Sequence, residues 1–349
     1  MGAQQCRPRT TRSLAIAATW RDSSSALSPV VAIERLRMAP EDYHEPVLAN
    51  EIVELFTGLP AGVVVDATLG GGGHAAALLG ATQLRVLGVD RDPDARAAAR
   101  TRLAPYGARV RVVDATFADL VVVAAENADF LGGEPVVGVL MDLGVSSHQL
   151  NEPARGFSFR TDAPLDMRMD PTRGETAASL LATIDQHELV RLLREHGEQR
   201  FAGAIAKSII ERRPTTTFEL AAAVERAVPV AARRRGHVAT RVFQAVRVMV
   251  NGEVDQLSRG LAASLDVLSL GGVVAVISYH SGEDRAVKSF FAAQESGGCR
   301  CSPDVGCVCG AIKRIKVLRA SARLASAAEI ARNPRARSAR LRAARKVAP

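Results

Sequence analysis

Four aspartates stand where apolar runs end: Asp66 after Val63–Val65, Asp90 after Val86–Val89, Asp114 after Val110–Val113 and Asp142 after Val136–Met141. Carboxylates in that register can accept hydrogen bonds from the hydroxyl and amino groups of a nucleotide-like ligand lying across strand ends. Between the first two sits Gly70-Gly71-Gly72-Gly73-His74, which leads into the alanine-rich run Ala75–Gly80. A strand, a glycine turn and a helix in that order bring the backbone close to a ligand and aim free helix N–H groups at its negative end. Asp90 follows the turn at about 20 residues, the spacing at which nucleotide-binding sheets hold ribose hydroxyls.

Two further stretches carry polar chemistry. Asp142-Leu143-Gly144-Val145-Ser146-Ser147-His148-Gln149-Leu150 puts an acid, adjacent hydroxyls and an amide after a buried strand. Ser146 and Ser147 lack the G-x-S-x-G elbow of a serine nucleophile, so Asp142 or Gln149 touching a cofactor or target is the preferred reading. Ile277-Ser278-Tyr279-His280-Ser281-Gly282-Glu283-Asp284-Arg285 places a histidine, two acids and an arginine after another such strand. Helix capping by Ser281, with Glu283 and Asp284 in the first turn, accounts for the acids but not for His280.

Gly71–Ala76 loosely fits the G-x-G-x-x-A variant of the dinucleotide fingerprint, which keeps a nicotinamide enzyme open. Three features favour S-adenosylmethionine instead. Asp66 beside the turn suits a cofactor with an amino-acid end, Asp114 and Phe117 suit an adenine, and Asp142 lies at the switch point where a transferable group would sit.

The elements that must position these residues alternate as far as Leu143. Helices are expected at Ala49–Phe56, Ala75–Leu79, Pro93–Leu103 and Asp119–Glu126, between strands at Val63–Ala67, Arg85–Asp90, Val110–Asp114 and Val136–Leu143. This predicts a parallel, doubly wound α/β sheet. Asn151–Gly174 is polar and irregular, and successive helices follow from about Glu175, the last unbroken over Val238–Leu268. Sheet character returns at Gly272–Ser278. The expected division is an N-terminal extension over 1–40, an α/β domain over 41–150 and 269–349 that ends in a basic tail, and a helical insertion over 151–268.

The chain has 349 residues and a net charge of +8, which favours a polyanionic partner. After Ala311 a dozen basic residues face only Glu329. No apolar run approaches the length of about 18 residues that spans a membrane, so no membrane association is expected. Five cysteines are too few to build a disulfide-held protein of this size, and a reducing, cytoplasmic setting fits them. Four of them form Cys299-x-Cys301-x5-Cys307-x-Cys309. Four thiolates suit a tetrahedral structural zinc, although C-x-C is tighter than the common C-x2-C knuckle; free thiols or a redox-sensitive pair are the alternatives.

Taken together the motifs resemble the RsmH (MraW) family, the ribosomal small-subunit RNA cytosine-N4 methyltransferases that use S-adenosylmethionine. The resemblance runs through DATLGGGGH at Asp66–His74, GVDRDPDA at Gly88–Ala95, DLGVSSHQL at Asp142–Leu150 and RGFSFRTDAPLDMRMD at Arg155–Asp170. It continues through GEQRFAGAIAKSI at Gly197–Ile209, ATRVFQAVRVMVNGEVDQL at Ala239–Leu257, ISYHSGEDR at Ile277–Arg285 and NPRARSARLR at Asn333–Arg342. The family pattern has proline where His148 and Val238 stand and leucine where Gly282 stands.

The resemblance implies a Rossmann-like methyltransferase domain with an inserted all-helical domain that helps hold RNA. It implies cofactor contacts at Gly72, Gly73, His74, Asp90, Phe117, Asp142 and Gln149, and a cytidine of the 16S ribosomal RNA decoding region as target, met within the small ribosomal subunit. An exocyclic cytosine amine is a poor nucleophile, so Asp142 is expected to accept its hydrogen bond while His280 orients it or takes its proton. The base must leave its stack to reach such a site. Arginines 155, 160, 168, 173, 241 and 247 and the basic tail are the expected phosphate contacts. A non-catalytic small-subunit assembly factor, DNA as the substrate, and a homodimer stay open.

Overall fold

The computed structural model describes residues 46–230, 238–299, 301, 308–319 and 323–349. The expected extension over 1–40 and Cys307 lie outside the described residues.

Strands β1 (Val63–Asp66), β2 (Arg85–Asp90), β3 (Val110–Asp114), β4 (Val136–Asp142) and β5 (Val273–Ser278) pair in parallel. Three further strands follow, β6 (Ile315–Val317), β7 (Arg323–Leu324) and β8 (Arg340–Lys346); the sheet order is β3-β2-β1-β4-β5-β8-β6, with β8 antiparallel to both neighbours and β7 pairing with β8 outside that path. The order reverses between β1 and β4, and this switch point opens a crevice at the strand C-termini.

Alternate residues of each strand face opposite layers, as the pleat requires. Val63 and Val65 pack with Met141, Leu257 and Leu261, whereas Val64 packs with Ile52, Phe56 and Leu140. Both faces are therefore covered, which is why the parallel strands read as continuous apolar runs.

A separate core gathers Phe157, Leu165 and Met167 with helices Ala177–Thr183, Gln186–Glu195, Ala202–Arg212, Thr217–Ala227 and Val238–Asn251. The long helix expected over Val238–Leu268 is broken at Gly252, whose φ of 60° favours glycine. Helix Glu253–Val267 then packs on the sheet through Leu257, Leu261 and Leu265, so the helical layer stops before it rather than at 268. Asn251 fastens the end of helix Val238–Asn251 to the irregular segment that precedes the helices. Its amide donates to the Met167 carbonyl at 2.8 Å and accepts from Met169 N–H at 2.8 Å.

The basic tail is not a tail. Leu341, Ala343 and Ala344 of β8 are buried between the layers, and Lys346 donates to the Leu265 and Leu268 carbonyls. Arg314 pairs with Asp266, Arg319 with Glu295, Arg323 with Glu54 and Arg342 with Asp284. Short alanine positions between arginines hid a strand whose side chains reach acids elsewhere in the fold. Among the described residues no helix is long and apolar enough to cross a membrane.

Candidate active site

A cleft of about 580 Å³ lies over the strand C-termini, a size typical of small-molecule sites. Its floor is the glycine turn. Gly70, Gly71, Gly73 and His74 line it, whereas Gly72 does not. With φ at 76°, Gly72 makes the turn, and a Cβ there would stand 3.1 Å from Leu103 on helix Pro93–Leu103. Its part is thus to seat the turn, and the backbone surface offered to a ligand comes from its neighbours.

Asp90 lines the cleft with its carboxylate already oriented: Oδ2 accepts from Gly70 N–H at 2.7 Å and Oδ1 from Asp92 N–H at 2.8 Å. Burial raises its pKa, against those two hydrogen bonds. Phe117 forms an apolar wall, seated on Gly260, where a Cβ would come within 2.4 Å of the ring. Asp114 is displaced from the adenine role. It is exposed and clamped by both terminal nitrogens of Arg96 and by Arg173.

Gln149 lines the cleft, but its amide is committed. Oε1 accepts from Ser146 N–H at 3.0 Å and Nε2 donates to Asp92 Oδ2 at 2.7 Å, so it braces the turn after β4. His74 holds the Val47 carbonyl at 2.8 Å through Nε2. A carbonyl only accepts, so Nε2 carries the proton and Nδ1 presents its lone pair, 3.7 Å from Asp142 Oδ2. Burial holds the His74 pKa below its usual value.

Two acids are strongly perturbed. Burial pushes Asp66 up to about 7, and its Oδ2 has no hydrogen-bond partner among the described residues. Burial likewise pushes Asp142 up to about 7, against the hydrogen bond that the Tyr279 hydroxyl donates to Oδ1 at 2.8 Å. Asp142 lines the cleft, where a positive group would favour its charged form, whereas Asp66 is buried next to the lining residues Ala67 and Thr68.

His280 caps helix Ser281–Ser296. Its Nδ1 accepts from the N–H groups of Gly282 and Glu283 at 3.2 and 3.3 Å, and its Nε2 stands 2.9 Å from Glu283 Oε1. With its Nδ1 lone pair taken by two backbone N–H groups it can orient the turn, and Nε2, buried beside Glu283 without a hydrogen bond, is left to carry the proton, so the proton-acceptor alternative loses its free lone pair. Arg247 from the helical layer pairs with Glu253 and approaches Glu283 at 3.9 Å. His196, from the same layer, also lines the cleft, close enough to feel the charges of His280 and Arg247. Sequence reasoning passed over Tyr279 and His196. Tyr279 lies beside His280 in a stretch already singled out, but its reach to Asp142 depends on β4 pairing with β5.

Several expected phosphate contacts are internal ties instead. Arg155 is buried, held 3.0 Å from Asp92 and donating to the Met169 carbonyl. Arg168 pairs with Asp166, Arg241 with the buried Glu198, and Arg247 as above. Burying an arginine without its acid would be costly, so these pairs belong to the fold. Arg160 is exposed, and Arg335, close enough to feel its charge, lines the rim of the cleft.

A doubly wound sheet with this order, a glycine turn over β1 and acids at the ends of β1, β2 and β4 define a Rossmann-like methyltransferase that uses S-adenosylmethionine. The orphaned Asp66 oxygen and the oriented Asp90 carboxylate fit a cofactor with a positive amino-acid end and a ribose. The MraW methylase family model matches residues 41–347, and the chain belongs to that family. It is 48% identical over 309 residues to "Ribosomal RNA small subunit methyltransferase H" of Carboxydothermus hydrogenoformans, covering 87% of this chain and 98% of that one. A protein with the same description from Myxococcus xanthus is 49% identical over 315 residues, covering 89% and 100%.

Proposed function

We propose that this protein methylates the N4 amine of a cytidine in the decoding region of 16S ribosomal RNA, within the small ribosomal subunit. The ribosomal substrate is supported by what the similar proteins are described as acting on. The choice of an amine rests on one observation: the Asp142 carboxylate opens into the cleft at the end of β4, with one oxygen held by Tyr279 and the other beside the His74 lone pair. Bound S-adenosylmethionine supplies an electrophilic methyl group. The chain must then hold the amine in line and accept hydrogen bonds from it as positive charge develops.

Asp142 Oδ2 is the acceptor for the amine N–H, and Tyr279 keeps the carboxylate from rotating away. His280 and Glu283 hold the turn that carries Tyr279, with Glu283 accepting from Tyr279 N–H at 2.9 Å. The side of the cleft formed by His196 and Arg247 receives a base that has left its stack. Such a base meets the backbone of Leu143 and Gly144 on the sheet side, while Phe117 lines the cleft after β3, at the adenine end.

Small subunits lacking the modification, labelled S-adenosylmethionine and wild-type protein should yield label at one mapped cytidine. Asp142→Asn should lower transfer by about a hundredfold or more while cofactor binding persists. Label at a carbon or at a ribose hydroxyl, or undiminished transfer by Asp142→Asn, rejects the reading.

A further inference from the structure

Methyl transfer leaves one reactive cluster unused. The thiols of Cys299, Cys301 and Cys309 lie beyond helix Ser281–Ser296, with their sulfurs all within 4.8 Å of one another and none in a disulfide. Cys301 is hydrogen-bonded by the backbone N–H groups of Val308 and Cys309 and by the thiols of Cys309 and Cys299. The neck of the loop is closed by a backbone bond from Arg314 N to Gln294 O at 3.0 Å, and Cys299 N turns back onto Ser296 O at 3.2 Å on the helix side. Above that neck, Val308 and Ile312 are exposed, 87% and 66% respectively, so the apolar side chains there do not form a core. A loop with converging thiols and its apolar groups in water resembles a segment held by a metal rather than by burial.

We propose that Cys299, Cys301 and Cys309 bind a zinc ion as thiolates and that the ion clamps this loop to the end of helix Ser281–Ser296. Zinc imposes no geometry of its own and takes thiolates tetrahedrally at about 2.3 Å, which sets sulfurs about 3.8 Å apart. The observed spread needs to contract by only about 1 Å to meet that. Each thiol releases its proton to solvent as its Zn–S bond forms. A tetrahedral ion takes four donors, so these three thiolates leave one position to a further ligand. Strand β6, Ile315–Val317, leaves this loop directly to pair with β8, so the clamp fixes one edge of the sheet and stands apart from the methyl-transfer cleft.

The test uses the full chain grown with added zinc and desalted, with metal read by inductively coupled plasma mass spectrometry and free thiols titrated before and after chelation. Neither RNA nor cofactor is needed, so its failure is independent of the proposed activity. The expected result is one zinc per chain, retained by Cys6→Ser and lost by Cys301→Ser and Cys309→Ser. Chelation should release the zinc, expose further thiols and lower the thermal midpoint of the wild-type chain. If the cluster variants do not fold, cobalt replacement in the wild-type chain should produce the intense visible bands of a tetrahedral thiolate site. Wild-type protein free of zinc, zinc retained by Cys301→Ser, iron in place of zinc, or cobalt without thiolate bands overturns the assignment.

Discussion

Asp142 and Tyr279 show how a residue-scale contact sets chemistry. The Tyr279 hydroxyl stabilises the Asp142 carboxylate against burial, so its removal should raise the Asp142 pKa further. Tyr279→Phe is expected to lower methyl transfer about tenfold, the effect of removing one hydrogen bond to a charged group. The acid limb of its pH–rate profile should move to higher pH; a purely structural role for Tyr279 would leave that limb in place. Asp66 makes a second prediction. Its folded pKa of about 7 lies above the unfolded 3.8, so its contribution to stability is fully present below the unfolded value and is lost as pH rises through the folded one. The loss is on the order of a few kcal/mol. Asp66→Asn should therefore flatten the fall in thermal midpoint between about pH 4 and 7 in the ligand-free protein. An unchanged slope in calorimetry would show that Asp66 does not titrate there.

The elements differ in how openly they declared themselves. Strands β1 to β5 are buried on both faces and are rich in β-branched residues, so their apolar runs could be read directly. Strand β8 is RLRAARK, with burial that follows the pleat around two alanines. Its placement needs β5 on one side and β6 on the other, information that lies far from it in the chain. Truncation after Ala331, which looked like the removal of a basic RNA-binding tail, should instead remove this strand and expose β5. The expected product is insoluble or unfolded by circular dichroism. A folded, cofactor-binding truncation would show that the sheet closes without β8. The break at Gly252 has the same character: helical spacing continues across it, and only the packing of Leu257 and Leu261 on the sheet reveals the change of layer.

At the scale of the molecule, the net charge of +8 is real, but much of it is spent within the fold. Arg155, Arg168, Arg241 and Arg247 each face an acid, as do Arg314 and Arg342 in the C-terminal part. That leaves Arg160 and Arg335, near the mouth of the cleft, as the best-placed pair to meet RNA phosphates. The double variant Arg160→Ala/Arg335→Ala should weaken RNA affinity and reduce the salt slope by about 0.7 for each phosphate no longer neutralised, with the fold intact. Arg155→Ala should instead destabilise the protein, because it leaves Asp92 buried without its partner. Binding whose salt slope is unchanged in the double variant would place the RNA elsewhere.

Sequence alone determined the sheet strands up to β5, the glycine turn, the acids at strand ends and the family, because these depend on short-range periodicity and on motifs that are contiguous in the chain. Tertiary structure decided which charged residues are free and which are paired. It withdrew Asp114 from the cleft, turned Gly72 toward a helix, committed Nδ1 of His280 to its helix start and brought Tyr279 onto Asp142. The physical reason is common to all of them. A hydrogen bond or ion pair depends on positions within about 3 Å, and residues as far apart as 142 and 279 acquire such positions only when strands distant in the chain become neighbours in the sheet.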